Sequence, residues 1–201
     1  MKEILIALAL AVVLSVAGFY TWKVLGSKAA PAVPQVAADT RSTYATSTYS
    51  VKYPGDFTID TRYTYDQFGP KKLIHGVKFI IPSTMATGTN LSADTGISVE
   101  QLPRAKNCTG DIYLKANVTA HTITEGGIKY SFASSTGAAA GNRYEEDVYA
   151  LATSSPCTAV RYFIHSAAIE NFPAGRVRAF NRGALLTKFD KIRQSLVFGN
   201  Q

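Results

Sequence analysis

The sequence predicts an α+β fold: an antiparallel β-sheet domain packed by a C-terminal amphipathic helix and preceded by an N-terminal transmembrane helix. Three observations lead there. Short runs rich in Tyr, Val, Ile and Thr, separated by Gly, Pro and Ser/Thr clusters, fill the middle of the chain, as strands do. Leu185, Phe189, Ile192 and Leu196 recur at helical spacing, with Lys188, Lys191 and Ser195 on the opposite face. Residues 4–20 carry no charge.

That uncharged run is preceded by Lys2 and Glu3 and closed by Trp22 and Lys23. At 1.5 Å per residue it reaches about 25 Å, and through Trp22 it approaches the ~30 Å of a bilayer's hydrocarbon. Its exit, Phe19-Tyr20-Thr21-Trp22, is bulky and aromatic, which suits a membrane interface better than a signal-peptidase site. Residues 1–26 therefore read as a retained single-pass anchor in the cell membrane. The alternative is a secretory signal cut near residues 27–32, releasing a secreted domain. Residues 27–48, rich in Ala, Pro, Ser and Thr, read as a tether spanning about 25 Å as a flexible coil. Residues 49–201 remain for one extracytoplasmic domain, enough to bury roughly two-thirds of the surface the unfolded chain exposes.

Orientation rests on the cysteines. Cys108 and Cys157 lie in polar, turn-like contexts, and an even pair in an exported chain reads as one disulfide. On the chain-entropy model, closing that loop stabilises by roughly 4 kcal/mol. Three scattered histidines supply no zinc-ligand spacing, so no metal and no cofactor are expected.

Strands are expected at residues 49–53, 58–65, 73–81, 96–101, 120–125, 128–134, 144–152 and 158–166. Gly126-Gly127 joins two of them as a two-residue hairpin turn that tolerates positive φ. Residues 137–142, rich in Gly and Ala, read as a loop, and residues 109–115 as a short helix. In the strand at 158–166, Val160, Tyr162 and Ile164 alternate with Ala159, Arg161, Phe163 and His165, so that strand should lie centrally. Asn181 is placed to cap the final helix.

The opening Tyr49-Ser50-Val51-Lys52-Tyr53-Pro54-Gly55-Asp56-Phe57 resembles the hairpin that begins domains of the PsbP-like α+β class, and the helix ending near Phe198 is similar to the one that closes them. The stretches from Ala139 to Asp147 and from Cys157 to Ser166 resemble a set of small, membrane-anchored, uncharacterised bacterial exported proteins. The first resemblance implies a fold, the second an envelope location. Neither carries a functional residue over.

Two polar groupings are candidates for chemistry. Alternation puts Arg143, Glu145 and Asp147 on one face of a strand and Glu146 on the other. Arg161 and His165 share a face of the next strand, and pairing of the two would set Arg161 opposite Glu145 or Asp147. Carboxylates, Arg and His on one face suit acid/base or metal chemistry, but equally a structural network on a solvated sheet. No Gly-x-Ser-x-Gly elbow, phosphate loop or His-Glu-x-x-His occurs, which removes most support for hydrolase, nucleotide-binding and zinc-protease classes.

The net charge of +7 is unevenly spread. Residues 49–170 hold 11 Lys/Arg against 11 Asp/Glu, whereas residues 171–201 hold six against one. Arg176, Arg178 and Arg182 form a basic edge suited to anionic envelope polymers, lipid headgroups or an acidic partner protein; in an exported chain, nucleic acid is not an expected partner. The expectation is a membrane-tethered extracytoplasmic binding or interaction module, non-enzymatic, contacting an envelope component or a protein. The alternative is an envelope hydrolase or metal-dependent enzyme using Glu145, Asp147, Arg161 and His165.

Overall fold

The computed structural model describes residues 40–199. The expected anchor at 1–26 and most of the expected tether lie outside these residues. Among the described residues no helix is long and apolar enough to cross a membrane.

The α+β expectation is overturned: the domain is mostly antiparallel β-sheet. Eleven strands are present among the described residues, against one four-residue helical turn and one helix of 12 residues. Segments without an obvious strand pattern account for the difference. Strand β1 (Arg41–Ala45) falls where the tether was expected to end, and pairs along its whole length with β2 (Tyr49–Pro54). The expected strand at 58–65 breaks into β3 (Thr58–Asp60) and β4 (Thr64–Tyr65), with the chain turning at residues 61–62. Residues 109–115 form only a 3-10 turn, Gly110–Tyr113, packed so closely on the adjacent sheet that a Cβ at Gly110 would lie within 3.0 Å of backbone atoms of Ser131, Ala133 and Val148.

The larger sheet is built mainly from β5 (Ile74–Ile80), β6 (Gly96–Leu102), β7 (His121–Glu125), β8 (Ile128–Ala139), β9 (Asn142–Leu151) and β10 (Cys157–Ala167). Its order is β3-β5-β6-β10-β9-β8-β7, with β4 also pairing β5. Strand β10 is central, as its apolar alternation implies. Turns dictate the meander that runs from β7 to β10. Gly126 and Gly127 adopt φ of 58° and 79°, the geometry that joins two right-twisted strands through two residues. The same device recurs at Ala140 and Gly141, with φ of 49° and 77°. The expected loop at 137–142 is thus the tip of a long hairpin, where small residues hide the alternation that marks strands elsewhere.

One face of this sheet carries the main core. Val77, Phe79, Ile97, Val99, Val160, Tyr162 and Ile164 pack with Tyr49 and Val51 of β2 and with Leu185, Phe189 and Ile192 of the longer helix. That helix is α2 (Arg182–Arg193), following the single turn α1 (Ser83–Ala86). Asn181 caps it as expected, its side chain accepting from the Ala184 N–H at 2.9 Å. Strand β11 (Val197–Phe198) then returns to β2 and completes a three-stranded sheet, β1-β2-β11.

Candidate functional site

The second face of the large sheet is polar in sequence yet largely covered. Ser98 and Glu100 of β6, Lys78 of β5, Arg161, Phe163 and His165 of β10, and Tyr144 and Glu146 of β9 all project from it, each two residues from the next on its strand. Glycines make the space. A Cβ at Gly76 would meet the Val99 carbonyl oxygen at 2.3 Å, and one at Gly96 the Phe79 carbonyl oxygen at 2.6 Å. The turn before β4 lies over Gly76, whose N–H donates to the Tyr63 carbonyl at 3.1 Å.

Arg161 is the centre of this face. Its side chain is 1% exposed, and Glu100, at 0%, meets it with a two-pronged contact: Nε to Oε1 at 2.8 Å and Nη2 to Oε2 at 2.9 Å. Nη2 also donates to the Tyr113 carbonyl at 2.7 Å, Nη1 donates to Glu146 Oε2, and the guanidinium carbon sits 3.6 Å from the centre of the Tyr65 ring. Ser98 Oγ donates to Glu100 at 2.7 Å. Burial opposes the Arg161 charge, but the Glu100 and Glu146 carboxylates outweigh it, so its pKa is raised above the ordinary guanidinium value. Burial also pushes the Tyr65 phenol up to about 12, with Arg161 acting the other way; the protonated hydroxyl donates to Glu146 at 3.2 Å.

The cover over this network is stapled. Cys108 and Cys157 lie at disulfide-bonding distance, with Cα atoms 5.2 Å apart. This joins the segment before the 3-10 turn to the start of β10. Tyr113, in that turn, donates its hydroxyl to the Cys157 carbonyl at 2.7 Å while its own carbonyl receives Arg161. Disulfide and guanidinium thus hold the same cover from two sides.

Beside the network the face opens into a cleft of about 480 Å³, lined by Tyr63, Lys78, Asp94, Tyr144, Glu146 and Phe163 among others. Tyr63, Tyr144 and Phe163 are half-buried. Lys78 Nζ donates to the Asp94 carbonyl at 2.7 Å and lies 4.7 Å from the Phe163 ring centre. Burial lowers the pKa of its ammonium, with Asp94 and Glu100 acting the other way. His165 sits behind the wall: its Nδ1 contacts the Asp94 carboxylate at 2.8 and 3.0 Å, and its ring stacks on Tyr144 at 4.6 Å. A larger hollow, about 770 Å³, follows the β8–β9 hairpin, walled by the small residues from Gly137 to Gly141 together with Arg143, Tyr144 and Glu145.

The two expected groupings do not merge. Arg161 pairs with Val148, and Glu145 and Asp147 stand opposite Ile164 and Tyr162, so those carboxylates point to the other face from Arg161 and His165. The carboxylate on the Arg161 side is Glu146. On the helix side Glu145 binds Arg182, Nη2 to Oε2 at 2.7 Å, and burial raises the Asp147 pKa, Arg182 opposing. Arg143 reaches Glu170 at 3.8 Å, both well exposed. Of the basic edge, Arg176 and Arg178 are exposed, whereas Arg182 is engaged. Arg193, counted among the basic residues of this end, is 0% exposed: it bonds Tyr162 at 2.7 Å and Asp190 at 3.1 Å, pairs with Glu125 and lies 4.2 Å from the Tyr149 ring centre. Among the described residues no group of His, Cys, Asp and Glu is arranged to hold a metal ion.

Sequence reasoning missed Glu100, Lys78, Asp94 and the aromatic walls. Lys78 and Glu100 each alternate with buried apolar residues, a pattern that by itself reads as an exposed sheet face.

No protein-family model matches the chain, and no curated protein matches it. A crystal structure of a protein from Bacteroides thetaiotaomicron aligns with a TM-score of 0.42 and 13% identity, over 76% of this chain and 46% of that one. This chain therefore spans less than half the length of that neighbour, and a likeness this low settles neither fold family nor activity.

Proposed function

We propose that this chain is a membrane-tethered, extracytoplasmic binding module without catalytic activity, and that its ligand seats in the cleft between Tyr63, Lys78, Asp94, Tyr144, Glu146 and Phe163. One observation carries the reading: the charged groups under the cleft are tied to one another, while the aromatic groups around it are left half-buried. Arg161 makes four hydrogen bonds to Glu100, Glu146 and the Tyr113 carbonyl. A guanidinium held that way, four of its five N–H groups engaged and its side chain 1% exposed, fixes the shape of a site rather than reaching out to steady a developing charge. Half-buried aromatic rings among a few fixed polar groups are what small-ligand sites present. The uncharged run at residues 4–20 and the Cys108/Cys157 pair support a location on the outer face of the cell membrane or a secreted one, since such pairs persist in oxidising compartments.

A second reading keeps the basic edge as the contact, through the exposed Arg176 and Arg178. Retention of fractionated envelope material by the full-length protein separates the two. Phe163→Ala should abolish retention and the pair Arg176→Glu/Arg178→Glu should leave it intact. The opposite outcome would move the contact to the edge.

A further inference from the structure

We infer that the cleft takes a neutral saccharide unit, its ring face laid against Tyr144 and its hydroxyls donating to Asp94 and Glu146. This rests on the binding reading above and adds the ligand's chemistry.

The volume, about 480 Å³, lies inside the range of roughly 300–1,000 Å³ that small-molecule sites occupy. The lining then decides between ligand classes. Asp66, Asp94 and Glu146 line the cleft against Lys78 alone, so a polyanion would meet more like charge than opposite. An organic cation would meet the Lys78 ammonium as like charge, because that ammonium already lies over Phe163 at 4.7 Å and near Tyr63 at 5.6 Å. A purely apolar ligand would strip water from the acceptor positions that Asp94 and Glu146 keep beyond their contacts with His165, Arg161 and Tyr65, at a cost of about 1–3 kcal/mol each or more.

A polyol avoids all three penalties. Ionised carboxylates only accept hydrogen bonds, and hydroxyls supply donors for the acceptor positions that remain. The C–H-bearing face of a pyranose carries the partial positive charge that suits the negative face of an aromatic ring. The walls are braced for such stacking. Tyr144 is backed by the His165 ring at 4.6 Å, and His165 is held in turn by the Asp94 carboxylate at 2.8 Å, so platform and acceptor are positioned by one residue.

The test is calorimetric titration of the full-length protein, in a detergent without a sugar headgroup, with the tetrasaccharides of N-acetylglucosamine, maltose-type glucose and cellulose-type glucose, and with tetragalacturonate as the anionic counterpart. At least one neutral tetrasaccharide should bind. Tyr144→Ala should weaken it by about tenfold or more, the loss of one stacked ring, and Tyr144→Phe should keep it near the wild-type value. Asp94→Asn should weaken it severalfold without altering the fold seen by circular dichroism. Preferential binding of tetragalacturonate, or binding that ignores both Tyr144→Ala and Asp94→Asn, would overturn the inference. If no neutral tetrasaccharide binds while envelope retention still depends on Phe163, the saccharide assignment is wrong and the cleft reading stands; if retention ignores Phe163, the cleft reading itself has failed.

Discussion

Arg161 and Glu100 meet across β10 and β6 in a two-pronged contact at 2.8 and 2.9 Å, both side chains essentially without access to solvent. Two opposite charges buried together add little net stability, because desolvation offsets most of their attraction. Removing one is a different matter, since the other is left buried and uncompensated. Arg161→Met should therefore lower the unfolding free energy by roughly 3–5 kcal/mol. Arg161→Met combined with Glu100→Met should recover a large part of that loss. Denaturant titrations of the two single variants and the double variant check this, and additive losses would show that the residues do not act as a pair.

A second buried arginine supports the opposite face. Arg193 holds Tyr162, Asp190 and Glu125 while lying against Tyr149, a combination that a planar guanidinium can make and an ammonium cannot. Arg193→Lys is expected to cost on the order of 2 kcal/mol through lost charge-assisted hydrogen bonds. A thermal melt superimposable on the wild type would show that the stacking and forked bonds contribute nothing.

The Cys108–Cys157 bond closes a loop with a sequence separation of 49. Reduction, or the paired change Cys108→Ala/Cys157→Ala, should lower stability by about 4 kcal/mol on the chain-entropy model. Because the bond anchors the segment that carries Tyr113, amide exchange should rise first around residues 108–114. Exchange that rises elsewhere first would place the weak point outside this cover.

Asp147 gives a pH dependence with a definite sign. Burial raises its pKa in the folded chain, Arg182 opposing, so the folded state holds this proton more tightly than the unfolded state. Its ionisation costs stability as pH rises through that raised value, and the cost is absent below the ordinary carboxylate range. Asp147→Asn should accordingly stabilise the protein at pH 7 and leave it unchanged near pH 3, about a unit below the reference carboxylate pKa. Equal effects at both pH values, read from urea midpoints, would contradict the assignment.

How far these features are legible in the sequence depends on the range of the contacts that make them. The Gly126-Gly127 turn, the Asn181 cap and the centrality of β10 follow from neighbours within a few residues, and all three are present. The Ala140-Gly141 turn escaped because Ala and Gly on both sides offer no alternation to read. Overestimating helix character at 109–115 had a similar origin: Gly110 is needed for close approach to Ser131 and Ala133, a tertiary demand with no local signature. Arg161 and His165 could be seen to share a face, but Glu100 lies 61 positions from Arg161. Its strand looks half-exposed until the segment carrying Tyr63 and Tyr65 is folded over it. A one-residue difference in the β9–β10 register decides whether Glu146 or its neighbours meet Arg161, and register is set by the hairpin and the core rather than by the charges themselves.

The central claim is that ligand is held in the aromatic cleft, and fluorine NMR of the full-length protein labelled with 3-fluorotyrosine tests it most directly. Tyr→Phe substitution identifies the Tyr63, Tyr65 and Tyr144 resonances. On addition of envelope material that the protein retains, Tyr63 and Tyr144 should shift or broaden, while Tyr130 and Tyr162, buried on the helix side, stay in place. Unmoved Tyr63 and Tyr144 signals under conditions where the material is bound would contradict the account.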